Sequence, residues 1–77
     1  MQTRPIHEIA REIRADWTRP YYGAVPYLDA MECVSTPEDA YGADDGKYLI
    51  LYFLANAGTY RGETARRVKA ELKGMLK

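Results

Sequence analysis

The chain has 77 residues, 47% apolar and 29% charged, with eleven basic and eleven acidic side chains that cancel to a formal net charge of zero. This composition belongs to one folded domain, residues 1–77, and excludes a disordered tail; at this length a single core only just outweighs conformational entropy, which leaves room for a homo-oligomer or a partner surface. A lone cysteine, Cys33, excludes a disulfide framework and a cysteine-rich zinc site.

The first predicted element is a helix over about residues 4–17, where Ile6, Ile9, Ala10, Ile13 and Trp17 recur at spacings of three and four and form one apolar face. Thr3 is a suitable N-cap, and Pro5 is tolerated in the first turn. On the opposite, solvated face Arg4 and Glu8 make a favourable pair, whereas Glu8 with Glu12 and Glu12 with Asp16 repel unless Arg11 and Arg14 reach across. Thr18-Arg19-Pro20 ends the helix, because the residue before a proline leaves the helical region.

After a short connection at Tyr21-Tyr22-Gly23-Ala24, Pro26 starts a second helix over about 25–34. Tyr27, Leu28, Met31 and Val34 are its stripe, with Asp29 and Glu32 turned away. Ser35-Thr36-Pro37-Glu38-Asp39 reads as a cap, a first-turn proline and two acids, which predicts a single helical turn over about 37–41, stopped by Gly42. Residues 43–46 form a turn in which Asp44 or Asp45 caps a third helix that starts near 46 or 47 and ends near 57. Residues 48–57 are one apolar block, and a helix apolar on every side is expected to be buried on every side, at the centre of the fold.

Gly58 is placed for the left-handed residue that closes this helix. Thr59 can cap a last helix that turns Tyr60, Ala65, Val68, Leu72 and Met75 or Leu76 inward, with Gly62 and Gly74 as weak points. Glu63, Arg67 and Glu71 make a ladder along it, each pair stabilising the helix by roughly 0.2–0.5 kcal/mol. With no strand pattern or repeat, the expected fold is all-α: a compact bundle of about four helices plus a short extra helical turn. The apolar block is about half of the roughly 20 residues that a membrane-spanning helix needs, and residues 1–8 hold no apolar signal region, so the expected location is the cytoplasm, with no membrane partner.

No residue set points to catalysis, a cofactor or a metal. His7 has Thr3, Arg4, Ala10 and Arg11 as helical neighbours and so lacks an orienting partner, which makes it a structural or surface histidine. Cys33 lies in a helix near acids that raise a thiol pKa, and a buried, unreactive thiol is expected. Glu38, Asp39, Asp44 and Asp45 surround a glycine turn, but their spacing does not match a calcium loop, and capping accounts for them.

Charge is divided along the chain. Residues 1–19 are nearly balanced, residues 20–46 hold six acids and no Lys or Arg, and residues 47–77 hold seven basic side chains against two acids. The acidic and basic blocks either neutralise one another in the fold or form separate patches for partners of opposite sign. Arg66, Lys69, Lys73 and Lys77 share one face of the last helix, with Arg61 and Arg67 near it, a stripe able to track nucleic-acid phosphates behind a helix-turn-helix-like turn. Glu63, Glu71 and the zero net charge count against that use. Seven tyrosines are the other excess. Tyr48 and Tyr52 stand four apart, and Tyr21, Tyr22 and Tyr27 cluster around the second turn, as rims of a small core or as an interface.

The stretches Ile13-Arg14-Ala15-Asp16-Trp17, Val25-Pro26-Tyr27-Leu28-Asp29-Ala30-Met31, Tyr52-Phe53-Leu54-Ala55-Asn56 and the run from Arg61 to Leu72 resemble a group of small proteins of actinobacteria and their bacteriophages. That group has no established activity, so the resemblance carries over no functional residue. It implies a context in which small proteins act by binding a host protein. The function expected from these readings together is a non-enzymatic protein-interaction module, a phage-derived modulator of a host factor, with Tyr21, Tyr22, Tyr27, Asp29 and Glu32 as its contact surface. The alternative is a helix-turn-helix-like nucleic-acid binder using Arg61, Arg66, Arg67, Lys69 and Lys73.

Overall fold

Four helices carry the chain in a computed structural model that describes residues 4–41 and 44–76: α1 (Ile6–Asp16), α2 (Val25–Met31), α3 (Gly46–Ala55) and α4 (Glu63–Gly74). The expected all-α bundle is what the chain forms. The roles expected of Thr3, Gly42, Ala43 and Lys77 lie outside the described residues.

Each boundary differs from its sequence reading for a local reason. At the start of α1, Pro5 occupies the N-cap position and the Ile6 amide donates to the Ser35 carbonyl at 2.9 Å, so a loop from elsewhere in the chain satisfies the first turn. The α2 helix ends at Met31, and a tighter turn carries the chain on to Val34 through Cys33 N–H to Ala30 O at 3.0 Å and Val34 N–H to Met31 O at 3.3 Å. Val34 still reaches the core, as its place in the stripe requires.

The helical turn expected over 37–41 is a β-turn instead. Asp39 N–H donates to Thr36 O at 3.1 Å with Pro37 at the second position, and the Asp39 carboxylate accepts from the Ser35 and Thr36 amides at 2.7 and 3.0 Å and from Thr36 Oγ1. These donors, the Ser35 amide first, hold the Asp39 carboxyl below its usual range. A minimal antiparallel pair follows, β1 (Ala40–Tyr41) with β2 (Asp44–Asp45), a feature that two-residue strands are too short to announce. Asp45 then caps α3, its Oδ1 accepting from the Tyr48 amide at 3.1 Å, as expected. The start of α3 is pinned against the turn by Gly46 N–H to Asp39 O at 2.8 Å and Lys47 N–H to Pro37 O at 3.0 Å.

Asn56 closes α3, folding its side-chain amide back to donate to Tyr52 O at 2.9 Å. Among the described residues the only positive φ is at Gly62 (116°), so Gly58 does not supply the left-handed closure expected of it. Gly62, not Thr59, precedes α4, and Tyr60 is buried from the connection and not from the helix.

The core runs through Ile6, Ile9, Ile13, Leu28, Met31, Ile50, Phe53, Val68 and Leu72, all fully buried, each side chain worth roughly 1.5–3 kcal/mol of transfer free energy. Trp17 roofs one end, stacked on Tyr60 at 4.9 Å and edge-on to Phe53 at 6.3 Å. The molecule measures 30 × 28 × 19 Å. A thickness of 19 Å is about two helix diameters, so every helix has an outer side.

Ion pairs bind α1 to its neighbours. Arg4 forks onto Glu71 (Nε to Oε2 2.9 Å, Nη2 to Oε1 2.7 Å) and reaches Glu12 at 2.7 Å, while Arg67 takes the other Glu12 oxygen. Arg14 pairs with both Asp29 and Glu32 on the α2 side. The acidic middle and basic end are thus each tied to α1; among the described residues no ion pair joins them directly. The Arg4–Glu8 pair and the Glu63–Arg67–Glu71 ladder expected within single helices give way to these inter-helix bridges.

Candidate interaction surface

Residues 48–57 are not buried on every side. Leu49, Ile50 and Phe53 face the core, but Tyr48, Leu51 and Tyr52 are 52%, 51% and 41% exposed. In a bundle two helices thick no neighbour remains to cover the outer side of α3, and the apolar character that looked central is half external. That side consists of Lys47, Tyr48, Leu51, Tyr52 and Ala55, which share one arc of the helix at 100° per residue.

The surface extends beyond α3. Tyr27 on α2, half-buried, brings its ring to 5.5 Å from Tyr52, and Tyr52 lies 6.2 Å from Tyr48. At the other end Tyr21 sits beside Ala55 and Asn56 in a shallow hollow completed by Gly58 and Thr59, and its ring is 4.8 Å from Tyr22, the most exposed large apolar side chain among the described residues at 80%. The neighbouring Tyr22 hydroxyl holds the Tyr21 phenol above its usual pKa. The result is a continuous strip, Tyr48–Tyr52/Leu51–Ala55–Tyr21–Tyr22. With an aromatic side chain at about 200 Å², it exposes roughly 500 Å². That is at the upper end of what monomeric proteins leave uncovered.

The five residues expected to form a contact surface separate into two groups. Tyr21, Tyr22 and Tyr27 belong to the strip. Asp29 and Glu32 spend their charge on Arg14 and fasten α2 to α1. Tyr48 and Tyr52, read both as part of a fully buried block and as tyrosines at a core rim or an interface, stand at the surface, as the apolar body and wet tip of tyrosine favour; Leu51 was missed as a surface residue, and its identity gave no signal.

The basic side chains of α4 likewise divide. Arg67 is bound to Glu12. Lys69 folds inward and donates to the carbonyls of Ala57 and Tyr60 at 2.6 and 2.5 Å, with its ammonium 5.7 Å from the Tyr60 ring centre. Burial, then the nearby charges of Lys73 and Arg61, lower its pKa. Arg61, Arg66 and Lys73 make no ion pair among the described residues. Among the described residues the phosphate-tracking stripe is therefore reduced to those three, with Lys69 and Arg67 acting as internal ties.

Among the described residues no group of three or more His, Cys, Asp or Glu could hold a metal ion. His7 is half-buried, its Nδ1 without a hydrogen-bond partner. Cys33, expected to be buried, is exposed, because α2 ends two residues earlier and leaves the thiol on its outer edge, 3.7 Å from Asp29 O. No described helix is long and apolar enough to cross a membrane. No family model, curated protein or solved structure matches the chain.

Proposed function

We propose that this chain is a small protein-interaction module without catalysis of its own, and that it works through the strip from Tyr48 to Tyr22. The observation that carries this reading is that Tyr48, Leu51 and Tyr52 stand half-exposed on the helix whose opposite side is the centre of the core. A surface built on core residues is rigid, so a partner orders few side chains on binding. Tyrosine is a preferred anchor of such interfaces. Roughly 500 Å² of mainly apolar surface also matches the apolar share of a standard interface, which buries about 800 Å² per partner. A host protein is the target class that the resemblance to phage proteins implies, and the use of a single cysteine accords with a cytoplasmic setting.

The test is affinity capture from an actinobacterial lysate, with and without nuclease, using the native chain and the variants Tyr22→Ala, Leu51→Asp and Arg66→Ala with Lys73→Ala. A protein retained after nuclease, lost with Tyr22→Ala and Leu51→Asp and kept by the basic-face variant, supports the strip. Capture that survives both strip variants in folded form removes the proposal. Capture that needs nucleic acid and fails with the basic-face variant assigns binding to Arg61, Arg66 and Lys73 instead.

A further inference from the structure

We infer that the α3 part of the strip receives a second copy of this chain, its α3 antiparallel to the first about a twofold axis; this inference rests on the strip being an interaction surface and names its occupant. Charge comes first. The outer side of α3 holds no acid and one cation, Lys47, at its N-terminal end. Parallel packing would bring the two ammonium groups together. Antiparallel packing separates them by about 15 Å, the length of the helix, beyond the roughly 8 Å over which exposed charges interact at physiological salt. It also sets each Lys47 beside the C-terminal carbonyls of the partner helix, where the helix dipole favours a cation.

Shape gives the register. A twofold axis between Leu51 and Tyr52 places Tyr48 opposite the partner's Ala55 and Leu51 opposite the partner's Tyr52. Large meets small at both ends, and the two leucines lie next to the axis, an arrangement in which ridges and grooves interlock. Tyr21 and Tyr22 stand at the C-terminal end of α3 and so face the partner's Lys47, giving that cation an aromatic surface.

Area sets the strength. The α3 residues together with Tyr21 and Tyr22 offer roughly 500 Å² per copy, about 1,000 Å² in all, at the threshold for a specific interface, which predicts a weak dimer with a dissociation constant in the micromolar range or above. Covering this side also adds buried apolar surface to a chain near the lower size limit for an independent core.

Sedimentation equilibrium from low micromolar to near-millimolar concentration tests the inference. The mass is expected to rise from 8.8 kDa towards twice that value, and Leu51→Asp, which sets two carboxylates at the axis, to weaken association by roughly 100-fold or more with an unchanged far-ultraviolet spectrum. Should that variant fail to fold, Leu51→Cys in a Cys33→Ser background decides: mild oxidation is expected to link it into a dimer, whereas Arg66→Cys in the same background stays monomeric. A mass of 8.8 kDa at every concentration, or equal cross-linking at positions 51 and 66, overturns the inference. A monomeric chain that still captures a foreign protein through the strip leaves the interaction module standing with another occupant. Strip variants that alter neither association nor capture remove both.

Discussion

Replacing Arg4 with Gln isolates the ion network between α1 and α4, and its pH dependence separates charge from packing. Arg4 makes three hydrogen bonds to two carboxylates that are themselves largely shielded, with side-chain exposures of 29% for Glu12 and 25% for Glu71, while Arg4 is 35% exposed. Exposed pairs contribute about 0.2–1 kcal/mol each. The fork onto Glu71 and the sharing of Glu12 with Arg67 place these two pairs near the upper end, but screening at Arg4 keeps their sum at roughly 1–1.5 kcal/mol. For a domain of this size that is a fall in Tm of about 5–10 °C. Hydrogen bonds from Arg67 and then Arg4 lower the Glu12 pKa, and a hydrogen bond from Arg4 lowers that of Glu71, both from an ordinary 4.5. A carboxylate whose folded pKa is depressed stabilises the fold fully above its unfolded value and progressively less as pH falls through the folded one. The difference in Tm between native and Arg4→Gln chains should therefore be full from neutrality down to about pH 5 and close below it, and should shrink in about 1 M salt. Thermal melts followed by circular dichroism from neutral to acid pH measure it, with Arg19→Gln, exposed and outside the ion pairs, as the control. A gap as large in acid as at neutrality would mean that the Arg4 stem, and not its charge, holds the helices together.

Other substitutions probe the backbone and the buried hydroxyl. A Cβ on Gly46 would lie 2.6 Å from Thr36 O and 2.9 Å from Pro37 Cα, both backbone, so Gly46→Ala should destabilise by about 1–3 kcal/mol in urea melts. Gly74, with nothing within 4 Å of the added atom, should instead gain about 0.5–1 kcal/mol as Ala. Tyr60 hides its hydroxyl with no hydrogen-bond partner, and burial, followed by the neighbouring Asp16 carboxylate, raises its pKa. Tyr60→Phe should be neutral or stabilising by up to about 1 kcal/mol, and a clear loss would show that the hydroxyl is satisfied. Cys33 should react with a thiol reagent in the native state as fast as in urea, and protection of more than about tenfold would place it inside the fold.

The helices were legible because their signals are local. Apolar residues at spacings of three and four located α1, α2 and α4, and the Asp44-Asp45 pair, of which Asp45 is the cap, located the start of α3. What the sequence hid depends on distant partners. Arg4 is one turn from Glu8 along the chain, yet Glu71 offers a two-point fork, and a guanidinium takes the fork when tertiary packing brings it within reach. Ser35 to Asp39 carries the residues of a helix start, but the Asp39 side chain bonds back to the amides of Ser35 and Thr36, and that local competition turns a helix start into a β-turn.

The misreading of α3 has a different origin and bears directly on function. Apolarity on all sides shows what a helix needs, and whether the chain can supply it is a question of how many elements are left to surround it. Only three other helices, one of seven residues, are there to surround it, the molecule as a whole is 19 Å thick, and a helix in a two-layer body has an uncovered side by geometry. A chain whose only requirement was to fold could have placed Lys, Glu or Gln at positions 48, 51 and 52 at no loss to the core, since Leu49, Ile50 and Phe53 already fill it. Holding two tyrosines and a leucine there leaves about half of each in water and raises the tendency of the chain to associate. The half-exposed apolar side of α3 is therefore the surface on which the proposed association is to be tested.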